Sequence, residues 1–375
     1  MECVCFLLCL LPAGLMLFTE FLAGKRWSFL ILAFALVLLC LDSYQAFLFL
    51  LVEGLFIYFF IRAVSGGEAA KGIWRDILIS MLFVIAVFAA GQVLNRLVCA
   101  ALKVPSGDDY LEEQFQWGAR PAAENLRVIG GAILHRSFGA DHVFTWAFGV
   151  LALVLLFILV LLYAARRAGG PVPVLAAAGI ILTPFLLDFA TATETVISSQ
   201  FAFVLALSFL GMFAMDMLQK TTSVRWAVLA AGAAFALLFV RQTEMTSRLL
   251  YTDVQTMEED ERIFRDVVAT AQAEGAPDYA PLVFVGGRHN TLTDAMAEEE
   301  VIGYSYLEIP GFYPEEHKSI DAMLAYGLRV SRPTDEQRDK AFAEAASMPD
   351  YPRSGSVRYA DGVIIVRLCD PDTWK

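Results

Sequence analysis

Apolar residues in this chain gather into long runs separated by short polar breaks. Residues 3–23 form the first run. Residues 28–62 form a second of double length, interrupted at Asp42-Ser43-Tyr44-Gln45. Later runs cover about 77–99, 143–165, 172–188, 196–218 and 226–243. A helix needs roughly 20 apolar residues to cross the hydrocarbon core of a bilayer. As one helix the double run would overshoot, so the pattern predicts two short helices, 28–41 and 46–61, joined by the polar tetrapeptide. Tilting or local thinning absorbs their shortfall. The pattern predicts eight crossings, with seven as the alternative. The long connection 103–140 contains a stretch, 120–136, that reads as an amphipathic helix lying on the membrane surface, with Leu126, Ile129, Ile133 and Leu134 on one face.

The pattern changes near residue 250. Val254, Met257, Ile263, Phe264 and Val267 recur at helical spacing and predict a helix over 253–274, capped by Thr252 or Asp253. Pro281 to Val285 reads as a buried strand closed by Gly286-Gly287. Residues 317–327 and 334–346 predict two further helices, the second capped by Thr334. Ser356–Tyr359 and Val363–Leu368 predict a hairpin across Asp361-Gly362. The expected fold class is an α-helical polytopic membrane protein of about eight transmembrane helices over 1–249, followed by a soluble external α/β domain over 250–375.

Composition agrees with that division. The chain has 375 residues, 58% hydrophobic and only 18% charged, with a mean hydropathy of +0.58. Soluble domains carry about a quarter charged residues. Residues 1–249 hold 16 acidic and 16 basic side chains, so the whole net charge of −12 comes from 250–375, with 24 acidic and 12 basic. An acidic tail repels phosphate backbones, so no nucleic-acid partner is expected. Six cysteines without a CxxC and four scattered histidines predict no disulfide framework and no metal site.

The cations orient the helices. Lys25 and Arg26 follow the first helix, Arg62, Lys71 and Arg75 the third, Arg166 and Arg167 the fifth, and Lys220 and Arg225 the seventh. These are alternate connections, and the short connections on the opposite side, 42–45 and 189–195, contain no Lys or Arg. The positive-inside rule then places both termini and the acidic tail outside the cytoplasm. No cationic segment precedes the first helix. The chain is therefore expected either to carry a native N-out anchor or to start in the middle of a longer protein.

On the external side, acids are supplied by Asp42, Asp108, Asp109, Glu112, Glu113, Asp188 and Glu194. Lys103, Arg120, Arg127, Arg136 and Arg241 are candidate phosphate holders, and Tyr44 and Trp117 could stack on a sugar face. A carboxylate beside cations at a membrane surface suits deprotonation of a hydroxyl and capture of a departing phosphate. Each position also fits a plainer role. Asp42 at a hairpin tip suits a turn or helix cap, Tyr44 an interfacial aromatic belt, Asp108-Asp109 ordinary loop chemistry, and Gly286-Gly287 a simple turn. Glu298-Glu299-Glu300 reads as a solvated surface. Glu53, in the middle of an apolar helix, is the least comfortable acid in the chain.

The helix pair broken at Tyr44-Gln45, the later membrane helices and the Val283-Phe-Val-Gly286 strand together resemble the glucosyl transferase GtrII family. The closest part of the likeness is Met348-Pro-Asp-Tyr-Pro-Arg-Ser-Gly-Ser356, followed by Asp361-Gly-Val-Ile-Ile-Val-Arg367. The resemblance implies a multi-pass glycosyltransferase of the GT-C type. Such an enzyme takes a hexose, here glucose, from a polyprenyl-phosphate carrier and attaches it to a cell-surface polysaccharide on the outer face of the cytoplasmic membrane. It implies no cofactor, the lipid-linked sugar being the donor substrate. On this reading Asp42, Asp108 and Asp109 are the catalytic candidates, and Tyr44, Gln45, Trp117, Arg120 and Glu194 the substrate-binding ones. The family's usual first external loop, with its Asp-Asp general base, is expected to precede the start of this chain. The family also tends to show Pro and Arg where this chain reads Ala190-Thr-Ala-Thr-Glu-Thr-Val196. The competing expectation is a non-catalytic membrane scaffold or transport component whose tail binds a partner. A ligase or flippase would share the lipid-carrier chemistry.

Overall fold

A computed structural model describes residues 2–66, 71–103, 116–139, 146–164, 170–193, 195, 200–221, 225–288, 302–308 and 315–369. Two compact units emerge, Met1–Val240 and Arg241–Lys375.

Every regular element described in the first unit is a helix. It contains α1 (Glu2–Gly24), α2 (Trp27–Ser43), α3 (Phe47–Ser65), α4 (Ile73–Leu102), α5 (Ala122–Phe138), α6 (Ala147–Ala164), α7 (Val172–Leu182), a 3₁₀ turn (Thr183–Phe185), α8 (Leu186–Thr191), α9 (Phe201–Thr221) and the start of α10 (Arg225–Ala273). Seven helical segments among the described residues are long and apolar enough to cross a membrane, with α7 and α8 together counting as one; α2 is a shorter apolar helix. The chain breaks between α2 and α3 at the polar tetrapeptide, as the sequence predicts, and each helix runs a little longer than its apolar core.

Large apolar side chains remain exposed along α4 and α6, among them Leu78, Leu82, Ile85 and Leu97, and Leu153, Phe157 and Val160. Surfaces of this kind need an apolar solvent, and a helix that closes its own backbone hydrogen bonds can present them to lipid. Buried between the helices lie Phe18, Val37, Phe47, Leu51 and Phe83 on one side of the bundle and Phe60, Phe148, Ile180, Phe185 and Phe203 on the other. Small residues set the closest approaches. A side chain at Gly179 of α7 would meet the Phe56 ring of α3 at 2.4 Å. The break between α7 and α8 falls at Pro184, which has no N–H to donate and whose ring crowds the carbonyl one turn back.

Helix α5 forms where the sequence predicts a helix, and it also has a buried stripe that the sequence does not announce. The structure buries Asn125, Ile129, Ala132 and Arg136 and leaves Leu126 and Leu134 exposed. The buried stripe carries a polar residue at each end because both have partners beneath them, as described below.

The second unit takes the rest of α10, then β1 (Ala280–Val285), α11 (Glu315–Ala325), β2 (Val330–Ser331), α12 (Asp335–Ala345), β3 (Val357–Ala360) and β4 (Val363–Arg367). The four strands are ordered β2-β1-β4-β3. β1 runs parallel to both neighbours, with Leu282 opposite Ile364 and Val285 opposite Arg367, while β3 and β4 form the antiparallel hairpin. Its turn needs positive φ at both Asp361 (50°) and Gly362 (80°), the combination that suits a two-residue hairpin.

Helices cover both faces of this sheet. Phe264, Val267 and Ala271 of α10 and Ile320 and Met323 of α11 pack on Leu282, Phe284, Ile364 and Val366. On the other face Ala341 and Ala345 of α12, with Met348, pack on Val283, Val285 and Ile365. Strands buried on both faces explain the unbroken apolar runs of β1 and β4. Thr334 closes a capping box with Gln337 at the start of α12. The cap expected at Thr252 is absent. That hydroxyl donates to the Arg248 carbonyl at 3.0 Å inside a continuous helix, so α10 passes through the 249/250 position without a break.

Candidate functional site

Helix direction sorts the polar residues of the first unit by membrane end. α2 runs from the Lys25-Arg26 connection to Asp42, and α4 runs from Arg75 to Asn95. The end opposite the cations therefore collects Asp42, Gln45, Gln92 and Asn95. These four line a cleft of about 80 Å³ whose apolar walls include Leu48, Phe88 and Gly91. Asp42 and Gln45 are exposed and Gln92 is half-buried. The Asn95 side-chain Oδ1 accepts from the Cys99 thiol at 3.5 Å. A carboxylate acceptor beside three amides, which both donate and accept, is chemistry that fits a polyol.

Tyr44 stands apart from this cleft. Its half-buried ring meets Phe47 and Phe201 edge-on, with centroids 5.5 and 5.9 Å away, and so ties the α2–α3 turn to the start of α9. Trp117 and Arg120 belong to a turn in which the backbone N–H groups of Ala119 and Arg120 both point at the Gln116 carbonyl. Both side chains are exposed, yet Trp117 is anchored through its Nε1, which donates to the Phe189 carbonyl at 2.8 Å. Asp108, Asp109 and Glu194 lie outside the described residues, as do Glu112, Glu113 and Glu298 to Glu300.

A second polar cluster at the same end is fully enclosed. Arg136 of α5 and Asp188 of α8 are both buried, with Arg136 Nη1 at 3.0 and 2.7 Å from the two carboxylate oxygens. The Thr195 N–H and hydroxyl donate to Asp188 Oδ1 at 2.8 and 2.7 Å. Gln200 completes the cluster with its amide oxygen toward Arg136 Nη1 (2.9 Å) and its nitrogen donating to the Pro184 carbonyl (3.0 Å), the orientation that satisfies both ends of the amide. Nearby, the Gln116 N–H donates to the Thr191 carbonyl at 2.8 Å, and Asn125 Nδ2 donates to the Gln116 carbonyl at 3.1 Å. This network clips α5 and the 116–120 turn onto α8. It commits Arg136 to Asp188, which removes both from the set of freely available groups; Arg241 is likewise paired, with Glu244 at 2.9 Å. Lys103, Arg120 and Arg127 stay exposed.

Sequence reasoning passed over Gln92, Asn95, Asn125, Thr183 and Gln200. Amides and hydroxyls within apolar runs are the only signal they give, and that signal does not say which helix they will face. Glu53 of α3 is fully buried, and its carboxylate points at the Thr183 hydroxyl. Neither group reaches hydrogen-bonding geometry with any described residue.

In the second unit, the 348–356 segment and Arg367 build structure. Arg367 Nη1 donates to the carbonyls of Ala345 and Ala346 at the end of α12, both at 2.9 Å, and its Nε lies 2.9 Å from Asp350. The Tyr351 N–H donates to the Arg367 carbonyl and the Arg367 N–H to the Ser356 carbonyl, so the 348–356 turn folds along the end of β4. Burial and the bond it donates to Asp266 push the Tyr351 hydroxyl up to about 12. No group of three or more His, Cys, Asp or Glu side chains among the described residues could hold a metal ion. Comparison with protein-family models, curated proteins and solved structures finds no match for this chain.

Proposed function

We propose that this chain is a membrane glycosyltransferase of the GtrII kind, or the C-terminal part of one, which transfers a hexose from a polyprenyl-phosphate carrier to a cell-surface polysaccharide. The observation that carries this reading is the cleft of Asp42, Gln45, Gln92 and Asn95, a carboxylate among amides at the membrane end opposite the cations. With the cation-rich connections in the cytoplasm, the cleft opens on the extracytoplasmic side. Asp42 then takes the proton of the acceptor hydroxyl as that oxygen attacks the anomeric carbon. The bond from that carbon to the carrier's phosphate breaks, and the phosphate leaves with the bonding pair. The amides hold sugar hydroxyls, and the exposed Lys103, Arg120 and Arg127 are the cations available to the departing phosphate. Trp117, bridged to Arg120, offers an exposed ring.

The test is transfer of labelled hexose from its polyprenyl phosphate to polysaccharide by the chain in lipid nanodiscs. If Asp42 is the base, Asp42→Asn lowers the rate about 10²- to 10⁴-fold. Loss on Asp108→Asn or Asp109→Asn with Asp42→Asn active moves the base to the 103–140 connection. The enclosed Arg136–Asp188 network favours a second reading, a non-catalytic scaffold, because it spends two of the charged candidates on holding α5 in place. Absence of both transfer and carrier binding supports that reading.

A further inference from the structure

One acid inside the helix bundle has no part in the transfer reaction. Glu53 lies about 9 Å into α3 and is fully enclosed. Thr183, at the break between α7 and α8, is equally enclosed at 1% exposure. The carboxylate faces the Thr183 hydroxyl, yet neither its two oxygens nor that hydroxyl forms a hydrogen bond among the described residues. The charged pair further along, Arg136 with Asp188 of α8, is closed on itself at 2.7 Å. A carboxylate in an apolar membrane interior needs a compensating charge or a proton.

The surroundings favour a cation. Pro184 has no N–H to give the Ile180 carbonyl one turn back, so the end of α7 turns carbonyl oxygen toward the break. That end also carries the negative pole of α7. Carboxylate, hydroxyl and carbonyl oxygens are all acceptors, and a hard cation can draw on several of them at once, whereas a proton joins only two. Broken membrane helices hold sodium in this way, with oxygens alone and without a set of His, Cys or several acids. A single carboxylate balances a single charge, which selects a monovalent ion over a divalent one. Packing beside the site is tight, since a side chain at Gly179 would meet the Phe56 ring at 2.4 Å, and this selects sodium over the larger potassium.

We propose that Glu53, Thr183 and the carbonyl end of α7 form a sodium site that ties α3 to the α7–α8 break. The site is separate from the Asp42 cleft and does not depend on the transfer reaction.

The test uses the full chain in nanodiscs, in choline chloride buffer with sodium chloride substituted at constant ionic strength. Binding of radiolabelled sodium and thermal unfolding are both read. Sodium is expected to bind saturably and to raise the melting temperature, and potassium to do neither. Glu53→Gln weakens sodium binding about 100-fold, and Thr183→Val about 10-fold. In choline alone Glu53→Gln melts no lower than the native chain, which separates a lost site from a lost fold. Asp216→Asn, at an exposed acid of α9, leaves sodium binding unchanged. Equal stabilisation by potassium would reduce the effect to salt and overturn the proposal. Sodium binding that survives Glu53→Gln would overturn it too. Stability that follows pH and ignores sodium would give the carboxyl a proton in place of the ion, with the same consequence.

Discussion

Single residues in the first unit divide into those whose polarity is answered and those whose polarity is not. Arg136 and Asp188 are answered: each lies under 5% exposed, and the carboxylate accepts from Arg136 and twice from Thr195. Removing one partner of a buried pair leaves the other charge stranded, at a cost of about 3–5 kcal/mol, while replacing both by apolar groups is often close to neutral. Asp188→Leu is therefore expected to lose that much stability in detergent, and Arg136→Met with Asp188→Leu to recover most of it. Chemical denaturation of the three variants checks the pattern. Glu53 and Thr183 are not answered among the described residues. An unsatisfied buried polar group costs about 1–3 kcal/mol. Without sodium, Glu53→Leu is expected to raise the melting temperature, and a fall would show that the carboxylate gains a partner in the working protein.

At the scale of elements, legibility follows locality. The membrane helices were readable because crossing a bilayer demands length and apolarity within one segment. The β3–β4 hairpin was readable because Asp361-Gly362 carries its turn chemistry in two adjacent residues. Strand β2 was not, being two residues held only by β1. The inward stripe of α5 was not legible, because Leu126 and Leu134 are the more apolar positions and both stay exposed. Asn125 and Arg136 nonetheless turn inward toward Gln116, nine residues away, and Asp188, 52 residues away. The cleft was half legible. Asp42 and Gln45 sit at a visible break, but Gln92 and Asn95 join them only once α2 and α4 pack. Burial of α10 against the 303–308 segment has a measurable consequence. The Asp260 carboxylate accepts from the Ser305 hydroxyl at 2.6 Å and the Tyr306 N–H at 2.7 Å, yet burial dominates and raises it to about 6. An acid whose folded value lies above its unfolded one binds more protons when folded across that interval, so stability falls as pH rises from about 4 to about 6. Hydrogen exchange of the 303–308 backbone is expected to speed up over that range, and Asp260→Asn to flatten the dependence.

For the whole molecule, the cation pattern and the two units make separable demands. A phosphatase reporter fused at Lys375 is expected to be active only if the tail lies outside the cytoplasm, and a cytoplasmic signal would reverse the orientation on which the transfer reaction depends. Residues 241–375 contain a sheet with helices on both faces and their own apolar interior. Expressed without the membrane helices, they are expected to be soluble and to melt in one cooperative transition, measured by circular dichroism. A sheet of this kind has two borders, and each is a place where another chain could add a strand. On one border β2 offers only two residues. On the other, the outward N–H of Tyr359 in β3 already donates to Glu274 Oε2 at 2.8 Å. A carboxylate seated on that border fills the hydrogen-bonding slot that a fibril-forming neighbour would need and sets a negative charge in its path. Crowded at high density, copies of this unit can therefore stand side by side without zipping into polymers.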